Sequence, residues 1–461
     1  MTAPRTTRPL ARRTVLKAFG GAVVAAPLLG AAAGCGSAAA DPNTLRISYQ
    51  QWGSNRITEA YLRRAMEAFS RSVPGVTVEL VPLVASEDNY FTKTELMMSS
   101  ERTAPDIVYE DTYILKSDVA AGYLRPIDSY VEPWPVWNEF YDVARKAVRG
   151  EDGRVYAVPG PTDTRALWYN RDLFAQAGIP LPWEPRNWDD LLATFRTLKE
   201  RLPDVIPVNI YAGKPQGEKT SMQGVQMLLY GTGSVMYDEA TKKWITGSTG
   251  LVDSLRFIQT VYAEKLGPEI GDALDPNLTE TIYNSWLPEG RLAVLLDGNW
   301  ISQNWDPGKP GEWPEWPETM SVAAMPTQRG QDPGIVTMAG GWSWALPRRA
   351  QNPDLAWQFL AEMCSTENVL AWTINDNKIS NRRDVASRHE YRGYSPTVGF
   401  FTDLVPQATY RPALAPYPEI SNAMQTAADA AMRGVPPEAA VVGYDAAVVE
   451  IVGPDSTAQE A

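Results

Sequence analysis

The sequence predicts an open, largely parallel α/β sheet whose ligands bind at the carboxyl ends of its strands. Three observations carry that prediction. Strand-like and helix-like patterns alternate from residue 44 onward, beginning with a complete β-α-β unit. The strand signals "TLRISYQ", "VTVELVPL" and "DIVYE" are separated by helical stretches rather than hairpin turns. Polar clusters containing an aromatic follow these strands, where sheets of this class hold ligands.

The elements follow in chain order. Arg12-Arg13, then Thr14, Val15, Leu16 and Lys17, resembles a twin-arginine export signal. The apolar run from Ala18 to Gly34 is broken by Pro27 and is too short and too weakly hydrophobic to span a membrane. "AAGC", ending at Cys35, resembles a lipobox, whose cysteine takes a diacylglycerol before cleavage. Residues 1–34 are therefore expected to be a signal peptide and 35–43 a lipidated linker. Two acyl chains would hold the exported body at the outer face of the cell membrane.

The body opens with "TLRISYQ". A helix follows, with Ser54 as its expected cap and Ile57, Tyr61, Ala65, Phe69 and Val73 recurring on one face. Pro74-Gly75 ends it, "VTVELVPL" alternates as a second strand, and "DIVYE" at 106–110 reads as a third. Beyond residue 160 come the strand "RALWYN", the helix "WDDLLATFRTLKERL" and the strand "VIPVNI". The Trp/Pro-rich "WDPGKPGEWPEWPETM" reads as an irregular surface excursion.

Composition removes several functions. The 461 residues carry a formal charge of −13, and a cleaved leader would take Arg5, Arg8, Arg12, Arg13 and Lys17 with it. No nucleic-acid partner is expected of so acidic a surface. Strongly anionic ligands are disfavoured by the same field, which a local basic pocket can override. Lipidation of Cys35 leaves Cys364 without a disulfide partner, and "AWQFLAEMC" reads as a helix burying an inert thiol. With His389 the only histidine, no metal site and no cofactor is expected.

The chain holds 16 Trp and 20 Tyr, most of which should pack in cores. Those beside polar groups at strand ends suit a pyranose. A ring covers its C–H face while carboxylates, amides and arginines bond its hydroxyl rim. "QQWGSN", "SEDNY", "YEDTY" and "DGNW" are such mixtures, and "PTDT" supplies further polar groups.

Five longer blocks make a family resemblance specific: "TAPDIVYEDTYILKSDVAAGYLRPID", "VYAVPGPTDTRALWYNRDLFAQAGIP", "GRLAVLLDGNW", "GGWSWALPRRAQNPDLAWQFLAEMCSTEN" and "RPALAPYPEISNAMQTAADAAMRGVPPEAAV". In this order they resemble the extracellular solute-binding proteins of carbohydrate ABC importers, the maltose- and trehalose-binding kind. The resemblance runs from about residue 44 to 445. It implies a two-lobe periplasmic-binding-protein-like fold of type II, with a ligand cleft between α/β lobes joined by three crossings. The crossings fall near Tyr156–Pro159, Val336–Ala339 and Asp376–Asn381. Lobe 1 is then 44–156 with 340–376, and lobe 2 is 160–336 with 381–461.

The resemblance also implies site residues. Asp163 matches the acidic contact after the hinge strand, Trp300 the aromatic of the "DG-x-W" loop, and Trp342 the aromatic after the paired glycines. Glu110 and Asp111 occupy the loop where relatives place a lobe-1 contact. Trp52, Glu87, Asp88 and Tyr90 follow the first two strands, while Arg411 and Tyr417 lie in "RPALAPY". Arg382 sits where relatives carry an arginine after Pro-Thr; here Ser380-Asn381 precede it, and Arg383 is an alternative.

The resulting expectation is a non-catalytic receptor. It captures a neutral mono- or oligosaccharide, closes over it, and delivers it to the transmembrane subunits of a permease, acting as a monomer. Two alternatives share the aromatic and acidic signature: a secreted glycoside hydrolase, which needs two carboxylates across the scissile bond, and a polysaccharide-binding lipoprotein.

Overall fold

The computed structural model describes residues 43–51, 56–85 and 87–460; Cys35, Trp52 and nearly all of the expected leader and linker lie outside them, as do the side chains of Glu87 and Asp88. The first unit forms as its pattern requires, from β1 (Thr44–Gln51), α1 (Ile57–Ser72) and β2 (Thr77–Val84). β1 and β2 pair in parallel from Thr44↔Thr77 to Gln51↔Val84. α1 buries Tyr61, Leu62, Ala65 and Phe69, a stripe at helical spacing. Its N-cap position is Arg56, without a side-chain cap bond. The expected cap, Ser54, lies outside the described residues and two positions upstream of that start. β2 tolerates Pro82 because it is an edge strand. After α2 (Glu87–Met98) comes β3 (Ile107–Asp111), buried at every position, and then α3 (Leu115–Ala120).

The long strand β4 (Ala157–Asn170) pairs with β12 over its first half and with β8 and β9 over its second. "RALWYN" is only its second half. The remaining strands are β5 (Ile206–Asn209), β6 (Tyr237–Asp238), β7 (Lys243–Thr246), β8 (Leu292–Gly298), β9 (Met320–Ala323), β10 (Met325–Pro326), β11 (Ile335–Val336), β12 (Ala339–Ala345) and β13 (Thr457–Gln459). The main sheet runs β2-β1-β3-β12-β4-β8-β5, with β9 also on β4. Pairing is parallel among β1, β2 and β3 and between β5 and β8, as expected. The middle of the sheet departs from that expectation. β12 is antiparallel to both β3 and β4, and β8 is antiparallel to β4.

Thr162 marks the junction. It pairs with Gly341 of β12 and bridges Ile379, so three chain segments lie abreast. One buried cluster gathers Leu45, Tyr61, Phe69, Trp344 and Phe359, and another gathers Phe195, Val208, Ile258 and Ile420. The second cluster also takes Tyr90, Phe91 and Tyr113 from the first half of the chain, and the Tyr113 ring meets Tyr417 at 6.1 Å.

The Trp/Pro-rich segment differs from its expected role. It is irregular, but Trp305 and Trp313 are buried, and Trp305 packs edge-on against Trp168 at 5.7 Å. Its indoles are core, which explains how so irregular a segment stays ordered. Cys364 is buried, and burial pushes its thiol up to about 12, so it is inert.

Candidate binding cleft

A cavity of about 500 Å³ opens where the three segments meet, with walls from both halves of the chain. β4 supplies Asp163 and Arg165. Alternation along a strand puts residues i and i+2 on one face, so both reach the cavity and pair with each other. Asp163 also accepts the Gly340 N–H at 2.8 Å. Burial pushes its carboxyl up, but Arg165, Lys378 and that N–H together hold it below the ordinary range. Gly340 permits this close approach, since a Cβ there would lie 3.0 Å from Asp163 Oδ1.

β8 delivers Trp300 through "DGNW". Asp297 is fully buried and accepts bonds from Tyr211 at 2.9 Å, Tyr283 at 2.6 Å and the Gly298 N–H at 2.8 Å. Gly298 leaves the indole its place, because a Cβ there would fall 1.8 Å from the Trp300 ring. Arg165 lies 4.8 Å and Lys219 5.4 Å from that ring's centroid. The Lys219 ammonium donates to Tyr283 Oη at 3.0 Å and stands 3.8 Å from Asp297. Burial lowers its pKa, against the pull of Asp297.

The opposite wall comes from β3 and β12. Trp342 pairs with Asp111 across them and lines the cavity. Its ring lies nearly parallel to Tyr109 at 4.8 Å and Phe91 at 5.7 Å. Asp111 accepts from Arg411 at 3.1 Å, and Arg411 also donates to Glu218 at 3.2 Å. One guanidinium thus ties a carboxylate of β3 to a carboxylate of the segment after β5. It also lies 4.6 Å over the Tyr113 ring. Burial raises the Asp111 carboxyl, Arg411 opposing the shift.

Of the residues expected from sequence, Asp111, Asp163, Trp300, Trp342 and Arg411 line this cavity. Four others do not. Glu110 points to the opposite side of β3 from Asp111, as strand alternation demands; there burial and its neighbour Asp118 push it well above the ordinary carboxylate range. Tyr90 is buried behind the wall, donating to the Tyr109 carbonyl at 2.6 Å while its ring touches Trp342. Tyr417 is buried and donates to Glu218 at 2.9 Å, so it braces a wall residue. Arg382 is a correction. It is 1% exposed, bonds Asp384 at 3.0 Å and the Cys364 carbonyl, and serves the fold. Arg383 does not replace it, since it donates to the Phe140 carbonyl at 3.0 Å. Trp52 and the side chains of Glu87 and Asp88 fall outside the described residues.

Sequence reasoning missed Arg165, Glu218, Lys219, Asp376 and Lys378, all of which line the cavity. Arg165 was within reach of the two-residue alternation from Asp163, and Asp376 and Lys378 of the expected third crossing. Glu218 and Lys219 stand after eight residues of non-strand chain beyond β5 and carried no signal. Among the described residues no group of three or more acidic, His or Cys side chains could hold a metal ion.

The profile of a family described as bacterial extracellular solute-binding protein matches residues 53–369. A binding protein of Brucella abortus (strain 2308) is 24% identical over 405 residues, 85% of this chain and 89% of that one. A Thermotoga lettingae ABC-transporter solute-binding protein solved with α-D-tagatose superposes with a TM-score of 0.72 at 21% identity, covering 89% of this chain and 100% of the other. The cyclic α-maltosyl-1,6-maltose binding protein of Arthrobacter globiformis gives a TM-score of 0.74 at 18% identity, covering 90% and 100%. At these identities the two structures establish a shared bilobal fold.

Proposed function

Since the chain belongs to the bacterial extracellular solute-binding proteins, and so is a receptor rather than an enzyme, we propose that it captures a sugar for an ABC importer and hands it to the permease's transmembrane subunits. One observation carries the reading. The cavity at the lobe junction joins two indole rings to a set of carboxylates, guanidiniums and ammoniums drawn from both lobes. Rings suit the C–H face of a sugar, and charged groups suit its hydroxyls. The sugars named for the structural relatives above support the same class of ligand.

Capture works by closure. Asp163, Arg165, Lys219 and Trp300 sit on one lobe, Asp111 and Trp342 on the other. A sugar touching both sets is bound fully only when the lobes meet, so it shifts the population toward the closed form. Micromolar affinity requires about −8 kcal/mol. A few charge-assisted bonds at about 1.5–3 kcal/mol each, with buried aromatic surface, reach that after ordering costs.

The lobes are proposed to be 44–156 with 340–376 and 160–336 with 381–461. Three further assignments rest on the leader motifs: export by the twin-arginine route, lipidation at Cys35, and residence at the outer face of the membrane; the receptor is proposed to act as a monomer. An anchored receptor stays beside its permease yet is free to open and close.

The test is a melting-point screen against mono- to tetrasaccharides, with chromatography of each sugar after incubation. Stabilisation by at least one sugar recovered intact is expected. Cleavage products would restore the glycoside-hydrolase reading, and stabilisation by none would overturn the proposal.

A further inference from the structure

A second cavity, of about 320 Å³, adjoins the cleft at Arg411, which lines both. The guanidinium is held by two residues of the cleft, Asp111 at 3.1 Å and Glu218 at 3.2 Å. At that point the wall between the two hollows is a single residue. Tyr410 is a second link. It lines the second cavity, while its hydroxyl lies 3.4 Å from Thr162 Oγ1 on β4. Burial pushes that hydroxyl up to about 12, and the charges it feels are those of Asp163, Arg165 and Asp111, all residues of the cleft.

The second cavity repeats the chemistry of the first. Tyr230, Tyr237 and Tyr410 stand on its walls with Lys116, Lys146 and Glu239. Burial raises the Tyr230 and Tyr237 hydroxyls, and the Glu239 carboxylate adds to both shifts, so these three groups lie together. A phenol offers an apolar face beside a hydroxyl that both donates and accepts. Such a face suits a sugar ring, and the polar groups suit its hydroxyls.

The walls come from the same two sides as those of the cleft. Thr112 and Lys116 follow β3, and Lys146 lies in the helix Asp142–Ala147. Tyr230 and Tyr237 lie beyond β5, Tyr237 in β6. In the proposed lobes the first set belongs to lobe 1 and the second to lobe 2, so one closure encloses both hollows. At about 500 and 320 Å³, each falls within the ~300–1,000 Å³ of a small-molecule site. A monosaccharide in the cleft makes no use of the second hollow, whereas a longer solute makes contacts in both.

We propose that the second cavity is a further sugar subsite, reached past Arg411, and that the preferred solute is an oligosaccharide whose units beyond those at Trp300 and Trp342 lie against Tyr230 and Tyr237. This rests on the sugar-receptor reading and narrows it from mono- or oligosaccharide to the latter.

The experiment titrates the full chain by calorimetry with the α-1,4-gluco-, β-1,4-gluco- and β-1,4-xylo-oligosaccharide series, each from mono- to tetrasaccharide. In at least one series the longer members are expected to bind about tenfold or more tighter than the monosaccharide, from one added ring contact with its hydrogen bonds. Val235 lines the second cavity and is 40% exposed, so Val235→Trp fills the hollow from its surface side. Glu239→Ala removes the carboxylate beside the two tyrosines. Each variant is expected to lose most of the length advantage while monosaccharide affinity and ligand-free melting hold. Affinity independent of length in every series that binds would overturn the inference and leave the receptor reading intact. A length advantage that survives in both variants would overturn it by placing the extra units elsewhere. An equal loss for short and long members would assign the cavity to lobe closure and overturn it too. Binding by no member of any series would remove both readings.

Discussion

Replacing Arg411 by glutamine deletes the guanidinium that spans the cleft between Asp111 and Glu218. The Asp111 and Arg411 side chains are 5% and 7% exposed, while Glu218 is 36% exposed. The Asp111 pair therefore counts as buried, and the Glu218 pair is discounted for solvent screening. Stranding a buried carboxylate costs about 3–5 kcal/mol if it stays buried. The variant escapes most of that cost by opening, which returns Asp111 to water. Closure should thus weaken by about 2–3 kcal/mol, or roughly 30- to 150-fold, and sugar affinity with it. Small-angle scattering on the ligand-free variant should show a larger radius of gyration than wild type, with melting within a few degrees. Asp111→Asn keeps the side-chain shape and should shift both readouts the same way by less. Unchanged scattering with unchanged affinity would refute the cross-lobe tie. A collapse in melting temperature would instead assign the pair to the fold.

Three further outcomes are expected. Trp300→Ala and Trp342→Ala should each weaken sugar binding by about 1–3 kcal/mol, roughly 5- to 150-fold, and Asp163→Asn by about 1.5–3 kcal/mol, with ligand-free melting near wild type; calorimetry beside melting distinguishes this from core damage, and Gly298→Ala should mimic Trp300→Ala by displacing the ring. Burial raises Glu110 and Asp118, the latter to about 7, and Glu95 beside them. Carboxyls raised in the folded state stabilise it below their unfolded value of about 3.9 and lose that contribution as pH rises through about 7. Ligand-free melting should therefore fall between about pH 4 and pH 7, and Asp118→Asn should flatten the fall; an unchanged profile would show that the pair does not titrate there. Cys35→Ser should release the protein from membranes with sugar binding intact, and retention in the membrane pellet would exclude lipid anchorage at that residue.

The sequence made the strand-helix alternation legible because β1, α1 and β2 carry clean periods of two and 3.6. It did not reveal that β4 continues for 14 residues, because "AVPGPT" contains two prolines and a glycine and reads as a loop. Neighbouring segments supply the bonds that make it a strand, through Gly341 and Ile379, and such long-range pairing has no local signature. At the site, residues anchored by short motifs were found: Asp163, Trp300 and Trp342. Family position alone misled for Arg382, since an arginine beside Asp384 folds onto that carboxylate and away from the cleft. Glu110 and Asp111 were inseparable in sequence until the facing of β3 was known. Lys219 owes its place to the buried Asp297 and the rings of Tyr283 and Trp300, all 64 or more residues away in the chain, and to the nearer Tyr211.

Closure around a sugar is best measured on the wild-type chain, by titrating the sugar that stabilises it most while recording small-angle scattering at each step. The radius of gyration should fall along the same saturation curve that calorimetry gives for binding. Saturable binding with unchanged scattering would mean a rigid pocket, and no saturable binding of any sugar, neutral or charged, would contradict the receptor function itself.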